Sequence, residues 1–149
     1  MLLIFIFFYK GENTMENTII TLGQLPTTWI HHFGKPENRA RLKAFGANKV
    51  KGLEPLIEFY RWCISVVEGT PAWNISGVNE KINEITDSII AHITNAKTGK
   101  KSAYRLANDM ANIIDYHYNR PACNNWKPHV ELKPILTDEM IQQFLSEAA

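Results

Sequence analysis

The chain has 149 residues, 45% of them apolar and 21% charged, with a formal net charge of +1. That length allows one domain with a sizeable core. The near-zero charge excludes a global field of the kind that draws a whole protein onto nucleic acid or membrane. The two cysteines, Cys63 and Cys123, fit neither a disulfide framework nor a paired-cysteine metal knuckle. Each is expected to be a reduced thiol of a cytoplasmic protein.

Residues 1–9 are apolar throughout and stop at Lys10. A helical membrane span needs about 20 apolar residues, more than twice this run. A signal peptide needs a basic start and a small-residue cleavage site, and Lys10-Gly-Glu-Asn-Thr supplies neither. No membrane partner is therefore expected. Residues 1–14 are read as an apolar leader ahead of a start at Met15, with a strand or tail packed on the domain as the alternative. Residues 15–149 are expected to form a single helical domain.

Within that domain, Ile19, Ile20 and Leu22 anchor an irregular lead-in. Leu25 to Phe33 predicts a short helix, since proline sits well in a first turn. Trp29, Ile30 and Phe33 would face inward, and Gly34 would end the helix. A second helix opens at Pro36 and runs to about Phe45, and Gly46 to Gly52 reads as a loop. The third opens at Pro55 and is apolar nearly all round, which places it centrally. Gly69-Thr-Pro71 closes it, and Ala72 to Ile75 is a linker whose Trp73 would cap the core.

The longest signal covers residues 76–119. Val78, Ile82, Ile85, Ile89, Ile93 and Ala96 recur at steps of three or four, as do Tyr104, Ala107, Met110, Ile114 and Tyr118. A helix turns once in about 3.6 residues, so each set lies on one face. The basic turn Asn95 to Ser102 joins them, which predicts an antiparallel helical hairpin. Arg120-Pro121 then halts the helix. Prolines at 121, 128 and 134 mark an irregular strap with one short extended piece at Val130-Glu-Leu132. Thr137 is a good N-cap for a last helix, Asp138 to Ser146, docked by Met140, Ile141, Phe144 and Leu145. The fold class is all-α: a small bundle of five to six helices around the 76–119 hairpin.

No motif specifies catalysis, and no cofactor or metal is expected. Gly99-Lys100-Lys101-Ser102 has the ending of a phosphate-binding loop, but the required glycine five residues earlier is Thr94 and a helix precedes it. The five histidines, His31, His32, His92, His117 and His129, include no pair spaced four apart as one helix face of a zinc site needs. Asp115 to Arg120 gathers Asp, His and Arg at one helix end. His117 and Arg120 could in principle serve a ribonuclease, though a histidine at a helix C-terminus already has a structural explanation. Asn74-Ile-Ser76 matches a glycosylation sequon, and Ser76 reads better as a helix N-cap.

Charge segregation is the informative signal. From Lys35 to Lys51 there are six cations and one anion, and from Lys97 to Arg105 four cations and none. These segments hold ten of the 16 basic residues, which leaves the remainder acidic. If both face one side they form a patch able to meet phosphates. The expected function is a non-enzymatic regulatory or accessory module that binds nucleic acid through Arg39, Arg41, Lys43, Lys49, Lys51, Lys100, Lys101 and Arg105. The alternative is a protein-binding adaptor or inhibitor, of the phage or mobile-element kind, using an aromatic patch of Trp73, Trp126, Tyr116 and Tyr118. Phe45 and Tyr104, near the basic segments, read as core residues.

Overall fold

The computed structural model describes residues 19–68, 76–97, 100–122 and 130–148. The leader, Trp73, Asn74, Cys123, Trp126 and His129 lie outside the described residues. Among the described residues there are six α-helices, within the five to six expected: α1 (Trp29–Phe33), α2 (Pro36–Asn48), α3 (Leu53–Glu68), α4 (Ser76–Ile93), α5 (Ala103–His117) and α6 (Asp138–Ala148). The described residues contain no strand, only an isolated antiparallel bridge between Thr21 and Pro121.

Helix α3 is the centre. Its exposed residues are Glu54, Glu58, Arg61, Ser65 and Glu68, one narrow stripe at steps of three and four. Leu56, Ile57, Phe59, Tyr60, Cys63, Ile64 and Val67 are buried around the rest. Each such side chain contributes roughly 1.5–3 kcal/mol through burial. On α4 Val78, Ile82, Ile85, Ile89 and Ile93 of the predicted stripe are buried, while Ala96 is exposed beyond the helix end; on α5 Ala107, Met110 and Ile114 are buried, and Tyr104 and Tyr118 are half-buried.

Helix pairing differs from a simple hairpin. Helices α4 and α5 meet, but α4 packs more extensively on α3, and the contact of α5 with α2 is more extensive still. Small residues are the reason. A methyl group on Gly46 of α2 would collide with the Asn108 side chain of α5, and Ala107 and Ala111 thin the α5 surface. Such residues let two backbones approach where isoleucines hold them apart. Gly46 is buried at this contact, and α2 continues to Asn48 instead of giving way to the expected loop.

Two glycines serve space rather than backbone freedom. Gly34 follows α1 with φ −85°, an ordinary right-handed value, so it is no left-handed cap. A Cβ on Gly34 or Gly23 would fall under 3.0 Å from the Tyr118 ring, which the two glycines receive. Hydrogen bonds from Gly23 N–H to the Tyr118 carbonyl (2.8 Å) and from Leu22 N–H to the Arg120 carbonyl (3.0 Å) complete this lock.

The strap after residue 130 makes no strand. Side chains of α4 hold it: Asn79 Nδ2 donates to the Val130 carbonyl (2.8 Å), Asn83 Nδ2 to the Glu131 carbonyl (2.8 Å), and Asn83 Oδ1 accepts from Lys133 N–H (2.9 Å). Lys133 also pairs with Asp87. The positions 79, 83 and 87 repeat every four residues, so they form one polar ladder along the helix. Thr137 caps α6 as predicted, its Oγ1 accepting from Met140 N–H at 3.2 Å.

Candidate nucleic-acid interface

The antiparallel run of α2 against α5 decides where the cations go. At one end Arg39 pairs with Asp115 at 2.5 Å. Further along, Gly46 lies against Asn108. Continuing that register brings the end of α2 to the start of α5. Lys49 ends α2 in the left-handed region at φ 54°, and Gly52 turns the chain at φ 117°. The loop between them therefore meets the residues that open α5.

There the chain forms a cleft of about 410 Å³, lined by Lys51, His92, Lys100, Ser102, Tyr104 and Arg105. Lys51 comes from the first basic run; Lys100 and Arg105 come from the second. Lys51, Lys100 and Arg105 make no ion pair among the described residues. Part of the lining is the N-terminus of α5, through Ser102, Tyr104 and Arg105. Leu106 N–H donates to the Ser102 carbonyl (3.1 Å), but the Ser102 side chain caps nothing. Its Oγ is buried without a hydrogen-bond partner. The first-turn N–H groups thus keep their partial positive charge, about half an elementary charge in sum. His92 Nδ1 lies 2.7 Å from the Ser88 carbonyl, where it donates, leaving Nε2 as the ring's other polar atom.

The remaining expected site residues are placed differently. Arg39 is turned into the α2–α5 contact, with only 15% of its side chain exposed. Arg41 is exposed, its guanidinium 5.2 Å from the Phe45 ring centre and 3.9 Å from Glu58. Lys43 and Lys49 are exposed and make no ion pair among the described residues. Lys101 is neutralised by Glu84 and Asp109, each at 3.5 Å. Phe45 packs on Phe59 (4.9 Å) and Trp62 (5.7 Å), as a core residue. Tyr104 is half-buried and borders the cleft. Sequence reasoning assigned His92 and Ser102 to no site and read Tyr104 as a core residue. Their signal was positional: a histidine in the last turn of one helix and a serine at the N-cap of the next.

The other constellations are taken up in packing. Asp115 is held by Arg39. Arg120 Nε donates to the Tyr116 carbonyl (2.7 Å), and its guanidinium lies 3.8 Å over the Tyr116 ring. His117 meets the edge of the same ring at 4.7 Å. Among the described residues no group of three or more His, Cys, Asp or Glu could hold a metal ion. None of the helices among them is long and apolar enough to cross a membrane. No protein-family model matches the sequence, and searches of curated proteins and of solved structures found no match.

Proposed function

We propose that this chain is a non-enzymatic accessory or regulatory module that binds nucleic acid, seating phosphate in the cleft of Lys51, Lys100 and Arg105. The observation that supports it is the meeting, in one concave site, of unpaired cations about 50 residues apart in the chain. Ion-pairing removes Arg39 and Lys101 from the contact surface, and Lys49 extends it along the α2–α3 loop. Unpaired ammonium and guanidinium groups above an open helix N-terminus are suited to an anion. A cytoplasmic setting belongs to the same reading, in keeping with the buried free thiol of Cys63.

The aromatic-patch alternative has less support. Tyr118 is received between glycines. Tyr116 is the one exposed aromatic among the described residues, and Arg120 covers one face of it. Fluorescence anisotropy with a labelled single-stranded oligonucleotide separates the readings. The triple variant Lys51→Gln/Lys100→Gln/Arg105→Gln should lose most binding, while Lys43→Gln should change it little. Equal loss in both, or no binding by the parent protein, would reject the cleft as the site.

A further inference from the structure

We infer that the cleft at the start of α5 is a subsite for a phosphate monoester, namely the terminal phosphate of a nucleic-acid strand; this narrower claim rests on the function proposed above. Charge is the first reason. A monoester carries −1.5 to −2 at neutral pH, an internal diester −1. Lys51, Lys100, Arg105 and the open helix N-terminus together present more than three positive charges to whatever sits there. A dianion matches that field and a single charge leaves it largely unused. The nearby carboxylates Glu84 and Asp109 are balanced by two lysines, Lys81 and Lys101, so they subtract little from it.

Shape is the second reason. The site is a cleft of about 410 Å³, within the range of small-ligand pockets. Donor geometry is the third. The first-turn N–H groups of α5 have no side-chain cap. Arg105 adds a planar fork that can grip two phosphate oxygens at once. The Tyr104 ring borders the cleft, where the last base of the strand can stack on it.

The test compares one short single-stranded DNA phosphorylated at its 5′ end, at its 3′ end, or at neither, each titrated against the full chain by anisotropy at fixed salt. A nucleoside monophosphate serves as competitor. A phosphorylated strand should bind on the order of tenfold more tightly than the unphosphorylated one, about 1.4 kcal/mol. Arg105→Gln and Lys100→Gln should abolish that advantage without lowering the melting temperature, since both side chains are exposed. Equal affinity for all three strands overturns the monoester subsite and leaves nucleic-acid binding standing. Capture of the nucleoside monophosphate with no strand bound overturns the strand as the source of the phosphate. Binding of neither overturns this inference and the proposed function together.

Discussion

Tyr60→Phe isolates one buried hydrogen bond. Tyr60 is 1% exposed, and its hydroxyl accepts from the Leu136 N–H at 2.8 Å. Leu136 is itself 8% exposed, so water cannot replace the lost acceptor. Phenylalanine keeps the ring and its packing, and the change reduces to an orphaned backbone donor. Such a group costs about 1–3 kcal/mol. For a chain of this length each kcal/mol lowers the melting temperature by roughly 2–4 °C. The expected fall is therefore about 6 °C, read by circular dichroism. Hydrogen exchange at the Leu136 amide should quicken. A pH arm adds a sign. Burial raises the Tyr60 pKa, with the Leu136 contact opposing more weakly. The neutral phenol is thus favoured in the folded state. Its contribution is fully present below about pH 10 and is lost as pH rises through the folded value. Tyr60→Phe should lose less stability above pH 10 than the parent protein. A melting temperature within 1 °C of the parent would mean that the bond to the strap carries no stability, and the reasoning would fail.

Gly23→Ala should drive a methyl into the Tyr118 ring and cost about 1–3 kcal/mol, measured by denaturant unfolding; an unchanged midpoint would show that the ring moves freely. Cys63 is 1% exposed and burial pushes its thiol pKa well up. In a Cys123→Ser background it should react with a thiol reagent only as fast as the protein unfolds, and reaction at the rate of a free thiol in native buffer would contradict the packing of α3.

The helices were legible in the sequence because burial repeats with the helical turn: Val78, Ile82, Ile85, Ile89 and Ile93 are all buried. Which helices pack most extensively was not. That depends on the size of single residues at crossings, Gly46 against Asn108, and no periodicity carries it. Gly34 ends α1 as expected, yet its missing side chain also admits Tyr118, a residue 84 positions away. The site divides the same way. Both cation runs stood out in the sequence, and so did the chance that they converge. Their free members did not, because Arg39 and Lys101 are cancelled by carboxylates on other helices, Asp115 for the first, Glu84 and Asp109 for the second.

The salt dependence of oligonucleotide binding bears most directly on the proposed role of the cleft. A strand end seated in the cleft releases about 0.7 counterion for each phosphate charge neutralised, so log affinity should fall against log salt with a slope of roughly −1 to −1.5. The triple variant Lys51→Gln/Lys100→Gln/Arg105→Gln should bring that slope close to zero. A parent affinity that does not change between low and moderate salt, or a slope that survives the triple variant, would contradict it.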